Sequence, residues 1–388
     1  MDLTQLEKDA SAAGIAASYI NAKGEPEAIS AETRQKLLEA MGFPRPVSDA
    51  PVPAVKVFSG RRKRELAVGG SGPFRWTLQT EQGKTYQGEA RGGETFPLPP
   101  RLPQGYHQLT LTQGENAWPC RIIMAPRRCY EPQALLEGRK LWGACVQLYT
   151  LRSARNWGIG DFGDLSEMLT QIAERGGDFI GLNPIHSLYP ASPESASPYS
   201  PSSRRWMNVI YIDVERVPDF QQSEEAQRWW RDKETQRRIK AARETEWVDY
   251  SAVNQLKIDG LRLAWAQFST RDEQDATRRH FEAYIAAGGE SLYSQAAYDA
   301  LHAAMLKEDG QRWGWPAWPE KYRHAQSKAV QQFCRKNEDE VRFWLWLQWL
   351  ANRQFDECWQ VCQRHGMSVG LYRDLAVGVA EGGAETWS

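Results

Sequence analysis

The chain has 388 residues, which predicts two or three domains rather than one. A hydrophobic content of 41%, a charged content of 25% and a formal net charge of −1 are typical of a globular protein and favour neither nucleic acid nor a membrane surface as a partner. The polar amino terminus has no secretory pattern, no run approaches the roughly 20 apolar residues of a membrane helix, and the six cysteines are scattered, so we expect reduced thiols and a cytoplasmic location.

Residues 1–50 are predicted to form a small helical segment and a linker. Ser30 is a suitable N-cap for a helix that begins at Ala31, and Gly42 suits the left-handed cap at its end. The stretch from Pro44 to Pro53 contains four prolines, a composition that is typical of linkers.

Residues 51–130 are predicted to form a small antiparallel β-sandwich. Short β-rich runs such as Phe74–Leu78 and Tyr106–Leu111 alternate with Gly and Pro turns, and Gly83 and Gly114 mark hairpin-type turns. This spacing of strands and turns is typical of two packed sheets of short strands.

Residues 131–388 begin with the pattern of a parallel sheet. Leu141–Tyr149 is nearly all apolar or small, which predicts a strand that is buried on both faces. Asp161 precedes an amphipathic helical run that ends at Gly176, and Phe179–Asn183 is predicted to be a second buried strand. Strand, helix and strand in close succession form a βα unit of a parallel sheet.

The remainder of this region is predicted to contain a long loop, two strands and many helices. Pro184–Arg205 is rich in Pro and Ser, and loops of this length without structure of their own are usually functional or disordered. Asn208–Asp213 is predicted to be a short strand, residues from about 218 to 363 a helical insertion, and Gly370–Gly378 a returning strand.

A glycine-rich motif, Gly158-Ile-Gly-Asp-Phe-Gly163, fits the pattern of dinucleotide-binding loops and precedes a helix. In a true dinucleotide loop the first glycine directly follows the strand. Here eight residues intervene after Tyr149, and the second strand ends in Asn183 rather than in an acid that binds ribose. We therefore expect no dinucleotide, and an oxidoreductase is the third and weakest functional hypothesis.

Cys358, Cys362 and His365 lie at helical spacing, so they could share one face. A metal site would need a fourth ligand and supporting hydrogen bonds to the ligands. The apolar neighbours Trp359 and Val361 instead favour cysteines that pack in a core, and we predict no metal site.

The run Trp313-Gly-Trp-Pro-Ala-Trp318-Pro is predicted to be a rigid loop, because Gly and Pro exclude a regular helix. Its tryptophans suit either a sugar-stacking platform or the core of the helical insertion. The large area of the tryptophan side chain favours core packing.

Three segments in the middle of the chain, Gly181–Pro190, Glu194–Trp206 and Asn208–Asp213, together resemble the first active-site loop of the amylomaltases, glycoside hydrolase family 77 in the α-amylase clan. Leu371–Trp387 is similar to the first conserved region of that clan. Met1–Met124 resembles the helical and β-rich extension of the longer bacterial members. The resemblance covers essentially the whole chain.

The resemblance implies an α/β fold in which residues 131–388 form part of a (β/α)8 TIM barrel, with about three of its eight strands. It implies a 4-α-glucanotransferase of maltodextrin and starch metabolism, which transfers segments of α-1,4-glucan to an acceptor glucan or glucose. The reaction is a retaining double displacement by two carboxyl groups, so we expect no cofactor and no metal. Maltodextrin or another α-1,4-glucan is the expected partner, and the sequence leaves the oligomeric state open.

Four residues match substrate-binding positions that the resemblance implies. Tyr199 corresponds to the tyrosine that lies against the sugar beside the scissile bond, and Ser197 and its turn hold that loop. Asp374 corresponds to the aspartate that ends the third barrel strand, where it can bind a sugar hydroxyl or orient its neighbours. Asn208 belongs to the same group of motifs. A partly buried loop tyrosine and a structural acid are the alternatives for Tyr199 and Asp374.

The catalytic carboxylates of this family follow the third barrel strand, in Arg-Ile-Asp-His, Glu-Asp-Leu-Gly and Thr-His-Asp motifs. None of these motifs occurs in the sequence, and the look-alikes at Asp259 and Asp309 fall inside the helical insertion. We therefore expect the catalytic residues beyond Ser388, a truncated gene product and an inactive chain. A non-catalytic maltodextrin-binding module is the alternative function.

Overall fold

The structure is a computed structural model that describes residues 3–42, 50–60 and 64–388. The chain divides into two compact units, Met1–Tyr130 and Glu131–Ser388. The part of the predicted linker before residue 50 lies outside the described residues. Across the described ranges, every helix is too short or too polar to cross a membrane.

The first unit begins with two helices that flank a β-hairpin. The bounds are α1 (Leu3–Ala12), β1 (Ser18–Ile20), β2 (Pro26–Ala28) and α2 (Ala31–Ala40). The N-cap prediction is confirmed, because the Ser30 side chain accepts a hydrogen bond from the Thr33 amide, and Gly42 has the predicted positive φ. The hairpin corrects the purely helical prediction. Its turn forms because the Asn21 side chain accepts hydrogen bonds from two amides, those of Lys23 and Glu25.

The β-sandwich prediction is confirmed for the rest of the first unit. The strands are β3 (Val55–Ser59), β4 (Glu65–Ala67), β5 (Pro73–Gln79), β6 (Thr85–Arg91), β7 (Thr95–Pro97), β8 (Gly105–Gln113) and β9 (Asn116–Ala125). A five-stranded sheet has the order β3-β9-β8-β5-β6, and β4 pairs with β7. Among the described strands of this unit, β3 departs from the antiparallel prediction, because it runs parallel to β9. Inward side chains such as Leu78, Leu109 and Ile122 fill one core.

The second unit places a small parallel sheet beside many helices. Its elements are α3 (Gln133–Leu136), β10 (Gly143–Val146), α4 (Phe162–Glu174), β11 (Phe179–Leu182), β12 (His186–Ser187), β13 (Ser203–Met207), α5 (Pro218–Gln222), α6 (Glu224–Arg231), α7 (Lys233–Glu244), α8 (Tyr250–Ser269), α9 (Ala276–Glu308), α10 (Lys328–Lys336), α11 (Glu338–Arg364), β14 (Gly370–Arg373) and α12 (Ala384–Trp387). The parallel sheet has the order β10-β11-β14. The helices from α5 to α11 lie between β11 and β14 in sequence, in the region where the sequence predicts mostly helices.

The helix α4 has the ends that the sequence predicts. Asp161 and Asp164 form a reciprocal capping box at its start, and Gly176 has a φ of +80° after its end. The helix packs against α11, where Cys358 and Cys362 are buried and their thiols face backbone carbonyl oxygens. Burial raises the pKa of both thiols, so the prediction of core cysteines is confirmed.

Two predicted strands are shorter than expected, and a third is absent. The strand β10 ends at Val146, and the exposure of Cys145 corrects the expectation of burial on both faces, because β10 is an edge strand. The strand β14 ends at Arg373. The predicted strand at Asn208–Asp213 is a 3-10 turn over Val209–Tyr211. Instead of pairing with a strand, its carbonyl oxygens at Ile210 and Ile212 accept hydrogen bonds from Lys257 Nζ.

The glycine-rich motif before α4 belongs to a buried charge cluster that we call the Arg155 cluster. Arg155 forms ion pairs of 2.6 Å with Asp161, 2.9 Å with Asp164 and 2.7 Å with Asp213. The carboxylates of Asp161 and Asp164 already occupy the amino end of α4, where a dinucleotide phosphate would bind. A Cβ on Gly160 would lie 2.0 Å from a backbone oxygen. The motif thus serves close packing and the capping of α4.

Candidate functional site

The carboxyl ends of the three parallel strands open onto one cleft of about 390 Å³. Val146, Leu182 and Arg373 are aligned there by the strand register. The cleft is lined by residues at or just after these strand ends and by one loop tyrosine: Cys145, Val146, Gln147, Gly181, Leu182, Asn183, Tyr199, Tyr372 and Asp374. Ligand sites of parallel α/β sheets lie at this edge, so the cleft is the candidate site.

Two of the predicted site residues meet across the cleft. The hydroxyl of Tyr199 donates a hydrogen bond of 2.9 Å to Asp374 Oδ2. The Leu375 amide donates to Asp374 Oδ1 over 2.8 Å, so both carboxylate oxygens are held. The hydrogen bond to the carboxylate raises the pKa of Tyr199, and its side chain remains 57% exposed. The pair therefore presents an aromatic ring and an oriented acid to solvent.

Backbone hydrogen bonds fix the loop that carries Tyr199. The Ser200 amide donates to the Ser197 carbonyl oxygen over 3.1 Å and closes a tight turn around Tyr199. The Ser202 amide donates to the Ser187 carbonyl oxygen over 2.9 Å. Ser197 thus lies beside Tyr199, and its observed contribution is through the backbone.

Asn208 lies apart from the other predicted site residues. It is 8% exposed, and its side-chain oxygen accepts a hydrogen bond of 3.2 Å from the Ile210 amide. This contact caps the 3-10 turn that replaces the predicted strand. The structure does not place Asn208 among the residues that line the cleft.

A second cleft of about 330 Å³ adjoins the first and shares Asp374 with it. His186 lines this cleft, and its Nε2 accepts a hydrogen bond of 3.2 Å from the Ala376 amide. Burial, and then the charges of Arg204 and Arg373, lower the pKa of His186. A neutral imidazole fits this contact, because only an unprotonated nitrogen can accept a hydrogen bond.

An ion pair between Arg204 and Glu385 ties the end of the Tyr199 loop to the segment that follows β14. The guanidinium donates to Glu385 Oε1 over 2.7 Å, and the Arg204 amide donates to Oε2 over 2.8 Å. Arg204 Nη1 also donates to the Val377 carbonyl oxygen over 2.8 Å. Residues 181 positions apart are thus held together at the rim of the second cleft.

The helix α9 supports the same rim with a row of buried polar side chains, Gln295, Tyr298, Asp299 and His302, which we call the α9 polar row. Gln295 donates to the Ser187 hydroxyl over 3.2 Å, and Tyr298 donates to the Gly382 carbonyl oxygen. The His302 Nε2 atom lies 3.0 Å from the Trp313 carbonyl oxygen, to which it donates. One helix therefore holds the Tyr199 loop, the segment after Asp374 and the tryptophan loop.

Two members of the α9 polar row are titratable and incompletely paired. Asp299 accepts a hydrogen bond of 3.0 Å from Gln295 at one oxygen, while its other oxygen has no partner. The Nδ1 atom of His302 also has none. Burial raises the pKa of Asp299 to about 7 and lowers the pKa of His302 to about 4. Burial therefore favours the neutral form of both side chains.

The tryptophan loop divides between core and surface. Trp318 is fully buried and packs against Tyr298 and Trp387, so the core-packing interpretation holds for it. Trp315 donates from its indole nitrogen to the Glu381 carbonyl oxygen over 3.0 Å. Trp313 is 53% exposed.

Sequence reasoning missed several polar residues that follow the strands directly. Gln147 directly follows β10, Asn183 directly follows β11, and His186 begins β12 four residues after β11. Asn183 joins the ends of those strands, because its side-chain oxygen accepts a hydrogen bond of 2.8 Å from the Leu148 amide. Their position after predicted parallel strands is the signal that could have identified them.

A model of the 4-alpha-glucanotransferase family matches residues 146–388, which is more than half of the chain. The chain belongs to the 4-alpha-glucanotransferase family. A model of the MalQ N-terminal beta sandwich domain matches residues 51–126 of this family member. The resemblance to amylomaltases is thus confirmed, as is an α/β fold preceded by a β-sandwich.

Two bacterial proteins named 4-alpha-glucanotransferase are similar to this chain. The Haemophilus influenzae protein is 38% identical over 75% of this chain and 42% of its own length. The Mycobacterium tuberculosis protein is 30% identical over 97% of this chain and 55% of its own length. The chain therefore spans about half the length of these relatives.

Solved structures agree with this assignment. The crystal structure of amylomaltase from Corynebacterium glutamicum matches with a TM-score of 0.71 and 25% identity, over 98% of this chain and 56% of that one. Amylomaltase from Streptococcus agalactiae in complex with acarbose matches with a TM-score of 0.50 and 16% identity, over 64% of this chain and 46% of that one. At that identity the second match concerns the fold alone.

Proposed function

We propose that the cleft at the carboxyl ends of β10, β11 and β14 is part of the α-1,4-glucan site of a 4-α-glucanotransferase. The hydrogen bond between Tyr199 and Asp374 carries the proposal. It joins an exposed aromatic ring, which suits the apolar face of glucose, to an acceptor that suits its hydroxyl groups. The family membership supports the same substrate class.

We further propose that the parallel sheet forms about three of the eight strands of a (β/α)8 TIM barrel, with the helical insertion at about 218–363 between the second and the third. The parallel order β10-β11-β14 and the cleft at its carboxyl edge support this arrangement. The domains would be a helical segment and linker at 1–50, a β-sandwich at 51–130 and the barrel portion at 131–388.

Within the cleft, we assign each predicted residue a specific contribution. The ring of Tyr199 stacks on the sugar, and Asp374 accepts a hydrogen bond from a sugar hydroxyl. Ser197 maintains the turn that positions Tyr199, as its backbone contact with Ser200 supports. Asn208 contributes indirectly, by holding the backbone beneath the loop.

Transfer of a glucosyl group with retention requires two carboxyl groups about 5 Å apart, one as nucleophile and one as acid and base. Among the described residues that line the cleft, Asp374 supplies the one carboxylate, so the second carboxyl group of such a pair is missing there. We therefore propose that the catalytic pair comes from strands that these 388 residues do not include. The chain alone binds maltodextrin but does not transfer glucan segments.

The proposal is tested on the 388-residue chain with maltotriose and maltoheptaose. We expect saturable binding by calorimetry, weakened in Tyr199→Ala, and no redistribution of glucan lengths in chromatography after incubation. Binding that is unchanged in Tyr199→Ala would contradict the assignment of the site. Redistribution above a no-protein control would contradict the proposed inactivity.

A non-catalytic maltodextrin-binding protein is the second candidate, and the exposure of Tyr199 favours it over a purely structural role. It predicts the same binding, but no gain of transfer when residues 1–388 are joined to the second half of a relative.

A cytoplasmic location is also proposed, because all six cysteines are free thiols.

A further inference from the structure

Trp313 is an exposed indole on a backbone that is held at several points. Its carbonyl oxygen accepts the hydrogen bond from the buried His302. Two positions later, the Trp315 indole donates to the Glu381 carbonyl oxygen and to the Thr386 hydroxyl, over 3.0 and 3.1 Å. Trp318 anchors the loop in the core. Core packing explains Trp318 and Trp315 but leaves the exposure of Trp313 unexplained.

The ring of Trp313 rests on a glycine. A Cβ on Gly382 would lie 2.4 Å from Trp313 Cζ3, so no other residue could stand there without moving the ring. A Cβ on Gly314 would in turn lie 2.9 Å from the Gly382 carbonyl oxygen, which Tyr298 also binds. The ring is therefore supported from below and faces solvent on its remaining surface. A ligand that stacks on it would lose little side-chain entropy from the protein.

A short backbone connection links Trp313 to the Tyr199–Asp374 pair. The segment that begins at Asp374 contains Ala380, whose amide donates to the Pro201 carbonyl oxygen over 3.0 Å. Pro201 follows Tyr199 by two positions, and Ala380 precedes Gly382 by two. Because two residues span at most about 7 Å, Gly382 lies within roughly 20 Å of Tyr199. An oligosaccharide of several glucose units is long enough to cover any distance up to that limit.

We infer that Trp313 is a stacking platform for the outer part of a long α-glucan whose inner end occupies the cleft at Tyr199 and Asp374. The inference rests on the proposed function and extends it to chain-length preference. The C–H face of a glucose unit packs on the indole, while its hydroxyl groups remain in water. A short glucan that fills only the cleft does not reach Trp313.

The chain contains a matched control for this inference. Trp359 is 43% exposed and also rests on a glycine, since a Cβ on Gly370 would lie 2.6 Å from Trp359 Cζ3. Gly370 begins β14, whereas Asp374 follows its end, so Trp359 lies at the opposite end of the sheet from the cleft. The two tryptophans thus share residue type, support and exposure, and differ in position.

The experiment measures the affinity of the 388-residue chain for maltotriose and maltoheptaose by calorimetry. In Trp313→Ala the affinity for maltoheptaose is expected to fall about five- to tenfold, with the affinity for maltotriose unchanged. Trp313→Phe keeps a flat ring and is expected to retain maltoheptaose affinity within about threefold. Trp359→Ala changes neither affinity, and Tyr199→Ala weakens both.

Each departure from this pattern has a distinct meaning. Equal maltoheptaose affinity in Trp313→Ala and in the unmodified chain would overturn the platform while leaving the cleft intact, provided that Tyr199→Ala still weakens binding. A loss for both glucan lengths in Trp313→Ala and also in Trp313→Phe would overturn it in favour of a structural role. If the unmodified chain binds neither glucan, the proposed function itself fails.

Discussion

Tyr199 and Asp374 are 175 residues apart in sequence, and the tyrosine hydroxyl donates a 2.9 Å hydrogen bond to the aspartate carboxylate. The contact crosses a cleft between a long loop and the end of β14. It is exposed to solvent, so it adds little to stability, and its geometry matters more for what the two side chains present to a ligand.

The first prediction separates the ring of Tyr199 from its hydroxyl group. Tyr199→Phe keeps the stacking surface but removes the hydrogen bond to Asp374, so maltotriose affinity is expected to fall about threefold. Tyr199→Ala loses the ring as well and is expected to weaken binding at least tenfold. Calorimetric titration measures both, with the exposed Tyr130→Phe as the control. Equal affinities for the Phe and Ala variants would show that the ring contributes nothing.

Local sequence signals predicted α4 and the cap of α2 correctly, because the residues that decide them are neighbours. Asp161 caps its own helix through Asp164, and Ser30 does the same through Thr33. The positive φ of Gly176 likewise depends on backbone geometry at one position. Such signals do not require knowledge of the rest of the fold.

The errors arise where a distant residue decides the local structure. The run Asn208–Asp213 has the composition of a strand, yet Lys257 binds its carbonyl oxygens from α8 and a 3-10 turn results. The pairing of Arg204 with Glu385 spans 181 residues and leaves no trace in either local pattern. Family motifs predicted the Tyr199 loop and Asp374, whereas the α9 polar row could be recognised only once the helix had been placed against three loops.

The second prediction concerns the Arg155 cluster. Arg155→Met leaves Asp161, Asp164 and Asp213 without their guanidinium partner, so the free energy of unfolding is expected to fall by about 3 kcal/mol at neutral pH. That value is at the lower end of the usual range because the Arg155 side chain is one-third exposed. Urea denaturation measures the change.

Arg237→Met is the control for the Arg155 variant, since Arg237 and Glu234 form an exposed ion pair within α7. Removing an exposed pair of this kind has no measurable effect in most proteins. Equal stability of the two variants would contradict a stabilising role for the Arg155 cluster.

The third prediction concerns opposite pH dependences within the α9 polar row. Folding raises the pKa of Asp299 to about 7 and lowers that of His302 to about 4, whereas unfolded values are near 3.9 and 6.5. Between about pH 4 and 6.5 the unfolded chain binds a proton at His302 and the folded chain binds one at Asp299. The proton counts balance, so the pair adds almost no pH dependence to the free energy of unfolding.

Single variants should remove this balance in opposite directions. In Asp299→Asn the unfolded state binds more protons than the folded state, because only His302 still titrates. The difference in free energy of unfolding between this variant and the unmodified chain therefore rises with pH, by up to about 1.4 kcal/mol per pH unit. In His302→Gln the folded state binds more protons, and the same quantity falls as pH rises. Urea denaturation from pH 4.5 to 6.5 measures both slopes, and the double variant should restore the original one. Slopes of the same sign would contradict the prediction.

The fourth prediction tests what the glycine-rich motif does. Gly160→Ala places a Cβ against the Leu148 carbonyl oxygen, so the free energy of unfolding is expected to fall by about 1–3 kcal/mol. Gly310→Ala is the control, because no described residue beyond its chain neighbours lies within 4 Å of a Cβ at that position. Thermal denaturation measures both variants.

Thermal denaturation of the unmodified chain is also measured with and without NAD. Stabilisation by NAD would support the dinucleotide hypothesis.

The α9 polar row couples unfolding of the cleft to unfolding of the helix. One helix contacts the base of the Tyr199 loop through Ser187, the segment after Asp374 through Gly382, and the tryptophan loop through Trp313, so unfolding of the helix releases all three. Glucan binding and the helical insertion should therefore be lost in a single cooperative transition. The hydrogen bonds from α9 thus restrain the loops that surround the cleft.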